Sequence, residues 1–268
     1  MIPGVDVLLT PVNDVHVIDF NVTDPLVSDV RVRKAITLAI DRAKLIVTAT
    51  HGAGIALDGD QPVNGWAYVP TRVPASYDPV AARALLYTAG WREGPGGVLQ
   101  KDGRPLEVTL AIAPQGINGS PLVATQIQRY LRDAGIAATI KTYTPGQYWA
   151  PKAANGILSS GRYQLAYDAW WVLGPDPDDS WQFACDQIPP AGYNHYFWCD
   201  RRADTLMQDA LRSYDRSRRR RDYAAVQAIL RRDLPELTLW QVRMPVAFRR
   251  GLHGVAPSPF GSTFWNAR

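Results

Sequence analysis

Apolar positions recur along this chain at two different spacings. After Ser28-Asp29, residues Val32, Ala35, Ile36, Ala39 and Ile40 return at intervals of three and four, which places them on one face of a helix and leaves Arg31, Lys34 and Arg42 in water. A second helix is predicted after Ser76-Tyr77-Asp78-Pro79: Asp78 can cap it, Pro79 suits its first turn, Val80, Arg83, Ala84, Leu85 and Leu86 follow, and Gly90 ends it. From Leu106 to Ile112 the run LEVTLAI reads as a strand; Ser120-Pro121 opens a helix through Ile127 and Leu131 to Gly135, and IAATIKTY from Ile136 reads as the next strand. That is a β-α-β unit. YQLAYDAW, from Tyr163 to Trp170, is a further strand, and helices are predicted near 201–214 and 217–233. The order predicts an α/β protein with a mixed sheet. Residues 5–22 and 237–250 both read as extended, and their likeness predicts that the two ends pair in a second structural unit.

With 268 residues, 46% of them hydrophobic, the chain can bury a core of its own. No run approaches the roughly 20 consecutive apolar residues of a membrane span, and Met1-Ile2-Pro3-Gly4 lacks the basic start, apolar stretch and cleavage site of a signal peptide. The net charge of +4 owes much to Arg216-Ser217-Arg218-Arg219-Arg220-Arg221. No nucleic-acid fold signature accompanies that tract, so it reads as a solvated helix start and no nucleic-acid partner is expected. Cys185 and Cys199 flank a loop with Pro189, Pro190 and Gly192. Their spacing allows a disulfide or two buried thiols equally, and His195 is the only histidine between them that a structural zinc site could use.

The densest chemistry is WWVLGPDPDDSW, residues 170–181. A hydrolase would need two of Asp176, Asp178 and Asp179 to face a cleft with separated pKa values, yet Pro175 and Pro177 alternate with the acids and predict a turn whose aspartates cap and stay in water. An EF-hand reading lacks the loop glycine and the distant glutamate. Tyr148 and Trp149 follow Pro145-Gly146, where a short helix is expected; Tyr193, Asn194 and His195 lie on the loop between the cysteines. No Ser, His and Asp set, phosphate loop or His-Glu-x-x-His element is visible, which favours binding over catalysis and gives no cofactor.

One string carries a family resemblance. FNVTDPLVSDVRVRKAITLAIDRAKLI, from Phe20, resembles the extracytoplasmic solute-binding proteins of ABC importers, in the class that includes oligopeptide-, dipeptide- and nickel-binding proteins; Phe20-Asn21, Asp29 to Ile36 and Ala39 to Arg42 carry the match. Further matches keep family order. They include Tyr77-Asp78-Pro79 through Gly90, Asp102-Gly103-Arg104-Pro105-Leu106, Gln126 to Leu131 with Gly135, Gly192-Tyr193-Asn194, Asp215 through Arg219, Tyr223, Leu234-Pro235 and Leu252-His253-Gly254.

The resemblance implies a periplasmic-binding-protein-like (type II) fold, with residues 29–242 as a C-terminal ligand-binding lobe, 1–28 as a remnant of the N-terminal lobe with the hinge, and 243–268 as the return segment. It implies that Met1 falls inside the family pattern, that most of the other lobe is missing, and that this chain alone binds ligand weakly or not at all. It implies a non-catalytic module that holds a peptide or related small solute between two lobes and hands it to ABC permease subunits, in the periplasm or at the cell surface. Trp170 fits a family tryptophan at the ligand cleft. Peptide-binding members carry, about three residues later, an aspartate for the ligand's α-amino group; the matching position is Leu173. Asp168 is a substitute only if geometry allows, because alternation places it on the face of Trp170. The candidate ligand-binding residues are therefore Trp170, Trp171, Leu173, Asp168, Tyr148, Tyr193 and Asn194, with Cys185 and Cys199 as a possible disulfide. Two alternatives stay open: a hydrolase using residues 176–179, and a standalone interaction module.

Overall fold

Sixteen residues, Val5–Phe20, form one strand (β1) whose inner end is buried and whose outer end is not. The computed structural model describes residues 3–70, 77–114, 120–171, 176–256 and 258, except for the side chains of Trp170 and Trp171; Leu173 lies outside the described residues. The elements that follow are α1 (Val30–Ala39), α2 (Arg42–Thr50), β2 (Ile55–Ala56), α3 (Pro79–Thr88), β3 (Arg92–Glu93), β4 (Leu99–Lys101), β5 (Arg104–Pro105), β6 (Glu107–Ile112), α4 (Pro121–Asp133), β7 (Ala137–Thr142), α5 (Pro145–Tyr148), β8 (Leu165–Trp171), α6 (Ser180–Phe183), α7 (Arg201–Arg212), α8 (Arg216–Asp233) and β9 (Glu236–Arg249).

Six strands make the main sheet in the order β2-β9-β1-β8-β6-β7. β6 runs parallel to β7 and β8, while β1 is antiparallel to both β8 and β9. The expected mixed sheet and its β6-α4-β7 unit are present. The two ends of the chain do pair, from Val5 opposite Arg249 to Asp19 opposite Glu236. They do not make a second unit, however: the inner halves of β1 and β9 are central strands of the same sheet as β8. Only the outer halves leave it, as a two-stranded ribbon that starts where the register slips between Pro11 and Val15.

Local chemistry explains the helices. Asp29, Asp41, Asp78, Asp200 and Asp215 each accept a backbone N–H of the first helical turn, the contact that satisfies an otherwise orphaned donor. α1, α3 and α4 cover one face of the sheet, where Ile18, Phe20, Leu110, Ile112, Leu165 and Tyr167 meet Ile36, Leu86 and Ile127. Ala111 and Ala166, on the opposite face, meet Tyr148, Leu158 and Tyr163. β4 and β5 turn at Asp102 (φ 51°) and Gly103 (φ 76°), the pair of left-handed residues that a two-residue hairpin favours.

Arg42 departs from the sequence reading. It is buried rather than wet, with Nη1 donating to Leu57 O (2.8 Å) and Thr238 O (3.2 Å) and Nη2 2.5 Å from Asp58 Oδ1. Arg33, also buried, donates to the carbonyls of Val27, Ser28, Asp233 and Leu234, and so ties α1 to the end of α8.

Cys185 and Cys199 are bonded to each other, with Cα atoms 4.7 Å apart and a sequence separation of 14. Closing a loop of this size removes freedom from the unfolded chain. Replacing both cysteines by alanine is expected to lower the unfolding free energy by about 3 kcal/mol, measured by urea titration; an unchanged midpoint in the double variant would refute a stabilising role.

Candidate functional site

β8 ends at the edge of the buried sheet, beside the point where β1 leaves it. Strand alternation sends Ala166 and Asp168 to one face and Tyr167 and Ala169 to the other. Along the backbone, Asp14 lies opposite Trp171, Val15 opposite Trp170 and Val17 opposite Asp168.

The two carboxylates are held differently. Asp168 is half-buried and accepts from Ala169 N (2.8 Å) and from the Trp149 indole, and burial pushes its pKa up to about 6. Asp14 is buried, burial pushes it up to about 6 as well, and its Oδ1 has no hydrogen-bond partner among the described residues. A buried carboxylate with an unused acceptor is costly unless something outside supplies a donor. Nothing in the residue pattern singled out Asp14; the one available sign was a charged residue inside the extended run PVNDVHVIDF.

Next to Asp14 along the strand, His16 stacks on Trp240 with ring centroids 4.6 Å apart, and its Nδ1 lies 2.8 Å from Tyr167 Oη. Burial lowers its pKa to about 4, so the ring is neutral. Gln241 secures the register slip: Nε2 donates to Val12 O (2.9 Å) and Asn64 Oδ1 (2.6 Å), and Oε1 accepts from Val63 N (2.9 Å).

The acidic loop is anchored on both sides. Arg219 Nη2 donates to Asp176 Oδ1 (2.6 Å) and Oδ2 (2.8 Å). Gln61, itself buried, donates through Nε2 to Pro177 O (3.1 Å), to Asp60 Oδ2 (3.0 Å) and to Asp179 Oδ2. Asp178 Oδ1 accepts from Ser180 N (3.0 Å). The expectation of three solvated aspartates needs correction: Asp176 is exposed, but Asp179 is buried, and burial with Asp60 beside it holds its pKa well above the usual carboxylate range. Each acid carries a structural contact.

Three other candidates lie away from the end of β8. Tyr148 is fully buried and donates to Tyr167 O (3.1 Å). Asn194, with no exposed surface, donates through Nδ2 to the carbonyls of Phe183 (3.2 Å), Ala184 (3.0 Å) and Trp198 (2.7 Å), so it braces the disulfide loop instead of facing a ligand. Tyr193 is 64% exposed and meets Trp181 edge to face at 6.1 Å. Deeper in the sheet, Asp19 stands directly opposite Glu236, whose Oε2 accepts from Tyr196 Oη (2.7 Å). Burial, then the charges of Asp168 and Glu236, raise Asp19 well above its ordinary value.

Asp14 gives a testable stability effect. Its folded pKa of about 6 exceeds the ordinary 3.8, so ionisation disfavours the native state: the cost is absent below the lower value, grows between the two, and is complete above the higher. Asp14→Asn is therefore expected to stabilise the protein by up to about 3 kcal/mol near neutral pH and to give no gain in acid below about pH 4. Urea unfolding at the two pH values checks this, and an equal effect at both would refute it.

Known proteins share both this sequence pattern and this fold. The family described as bacterial extracellular solute-binding proteins, family 5 Middle, matches residues 2–187. The di/tripeptide-binding protein 1 of Pseudomonas aeruginosa (strain UCBPP-PA14) is 31% identical over 250 residues, covering 91% of this chain and 43% of that protein. The dipeptide-binding protein of Escherichia coli (strain K12) is 26% identical over 260 residues, covering 96% and 46%. The chain thus spans less than half the length of these relatives. HbpA2 from Haemophilus parasuis superposes with a TM-score of 0.83 at 23% identity, over 99% of this chain and 50% of that one. The oligopeptide-binding protein from Thermus thermophilus, complexed with a pentapeptide, gives 0.81 at 24%, over 99% and 48%. The type II periplasmic-binding-protein fold expected from the sequence is the one these structures share with it. With the family pattern running through more than half of its residues, the chain belongs to the bacterial extracellular solute-binding proteins, family 5.

Proposed function

We propose that this chain is one lobe and the hinge strands of an ABC importer's substrate-binding protein, and that it holds a peptide or related amine-bearing solute at the end of β8. The hinge would lie at the register slip between Pro11 and Val15 and at the facing segment from Gln241 to Arg243, where β1 and β9 leave the sheet. Residues of the outer ribbon would belong to the second lobe, and lobe closure around the ligand would present it to a membrane permease. The relatives named as dipeptide and di/tripeptide binders support the substrate class. An oxidised Cys185–Cys199 pair fits an extracytoplasmic setting, and among the described residues no helix is long and apolar enough to cross a membrane. The structural contacts of Asp176, Asp178 and Asp179 support binding rather than hydrolysis.

The observation that carries the ligand site is Asp14, a buried carboxylate with an unused oxygen opposite the terminal tryptophan of β8. Leu173 stands where peptide binders of the resembled class keep an aspartate, so the ligand's ammonium would go to Asp14, whose Oδ1 lacks a donor, rather than to Asp168, which already has two. Trp170 and Trp171, the aromatic candidates of the sequence, would supply apolar contact.

NMR titration of this chain with a dipeptide, an oligopeptide, a monosaccharide and Ni(II)–histidine tests the reading. We expect weak binding of the two peptides, with shifts centred on Asn13–Val15 and Trp171, abolished by Asp14→Asn and retained in Asp168→Asn. Responses confined to the sugar or the metal complex, or peptide binding indifferent to Asp14→Asn, would overturn it.

A further inference from the structure

The segment LDGDQPVN, residues 57–64, follows β2 and carries two aspartates two positions apart. Asp58 pairs with Arg42. Asp60 instead meets Gln61 and Asp179, and all three side chains are buried. Gln61 Nε2 reaches Asp60 Oδ2 (3.0 Å), Pro177 O (3.1 Å) and Asp179 Oδ2, and the carboxyl groups of Asp60 and Asp179 are themselves hydrogen-bonded. An amide nitrogen carries only two hydrogens, so it cannot meet three acceptors at once. Nor can two carboxylates hydrogen-bond each other without a proton between them. One proton on the pair satisfies both conditions.

The surroundings favour the proton. Asp178, beside Asp179, and Glu236, at the start of β9 and opposite Asp19, add negative charge. Arg42 of α2 is committed to Asp58 and Arg219 of α8 to Asp176. Arg231 Nη1, also from α8, lies 3.5 Å from where a Cβ on Gly59 would stand and has no hydrogen-bond partner among the described residues. β1 covers the segment with Val15 and Val17, which cluster with Leu57, Tyr68 and Trp181. Asp60 and Asp179 belong to no group of three metal-ligating side chains among the described residues, so what this closed pair can hold is a proton. The same segment also braces the register slip of β1 and β9. Val63 N donates to Gln241 Oε1 (2.9 Å), Gln241 Nε2 to Asn64 Oδ1 (2.6 Å) and Asn64 Nδ2 to Asn13 Oδ1 (3.2 Å).

We propose that Asp60 and Asp179 share one proton, and that this proton is a latch fastening the start of α6 to the segment that braces the register slip. When the latch opens, the proton passes to water and both carboxylates are ionised. Burial, then the charge of Asp60, holds Asp179 well above its ordinary 3.8 in the closed form. The fastening is therefore complete below that ordinary value and weakens as pH rises, until the closed pair loses its proton too. The latch does not depend on the peptide reading of the hinge.

Amide hydrogen exchange at Gln182, Phe183 and Ala184, whose N–H groups bond back to the carbonyls of Asp179 and Ser180, reads the fastening locally. In the natural chain their protection factors are expected to fall about ten-fold per pH unit above about pH 4, as loss of one proton requires, and then to level off. Asp60→Asn and Asp179→Asn each put an amide hydrogen in place of the shared proton, so each should flatten that dependence; thermal unfolding confirms that the variants are folded. Carboxyl ¹³C NMR of the natural chain supplies a readout without mutation. The Asp179 carbon should keep its protonated shift well past 3.8, and the Asp60 carbon should report the same step. An Asp179 that ionises at its ordinary value would overturn the proposal, and so would protection in the natural chain that does not change with pH. A slope that survives Asp60→Asn, or an Asp60 carbon blind to the Asp179 step, would make Asp179 a lone buried acid and overturn it as well.

Discussion

The backbone pairing of β1 with β9 on one side and β8 on the other is the constraint on which the lobe rests. The inner end of β1 must therefore be apolar toward both layers, and Val15, Val17, Ile18 and Phe20 are all fully buried. Every element of the main sheet is tied to this strand directly or through one neighbour, apart from β7 at the far edge. The same strand continues past Pro11 with a different character: Val7, Leu8 and Leu9 are 57%, 41% and 46% exposed. A rigid, doubly paired half thus passes into a ribbon with open edges. That change in pairing, together with Gln241 pinning the slip between them, would give the proposed hinge its physical basis.

The cost of building the sheet this way is a set of buried and half-buried carboxylates. Asp14, Asp19 and Asp168 all have raised pKa values, with loss of water as the first cause. Asp19 and Glu236 share a cross-strand position where like charges disfavour one another. His16 works in the opposite sense. Its pKa of about 4 means that the native state resists its protonation, so stability is lost as pH falls below the ordinary value of 6.5. Acid therefore relieves the aspartates while it strains the histidine, and Asp14, Asp19 and His16 all lie on β1.

Much of this architecture was legible in the chain, because its signals are local. The stripe from Val32 to Ile40, the Asp78-Pro79 start and the alternation of LEVTLAI each need only a few neighbouring residues, and α1, α3 and β6 follow them. The resemblance carried by Phe20-Asn21 and Asp29 to Arg42 supplied the fold. What could not be read was set by distant partners. Arg42 is buried because Leu57, Asp58 and Thr238 surround it, Arg33 because α8 ends with its carbonyls toward it, and Asp179 because Gln61 reaches it from 118 residues away. Asn194 resembled a cleft residue by its loop and its polarity, yet three carbonyls claim its amide. Asp14 was invisible for the same reason: a charge inside a strand becomes informative only when its neighbours leave it without a donor.

β1 is paired on both edges in its inner half and on one edge in its outer half, and amide hydrogen exchange along it tests most directly whether stability follows that pairing. We predict that Val15 to Phe20 exchange with the slowest amides of the protein, together with Leu237 to Trp240, while Val5 to Thr10 exchange orders of magnitude faster through local opening. Uniform protection along the whole strand, or an inner half that opens before the ribbon, would contradict it.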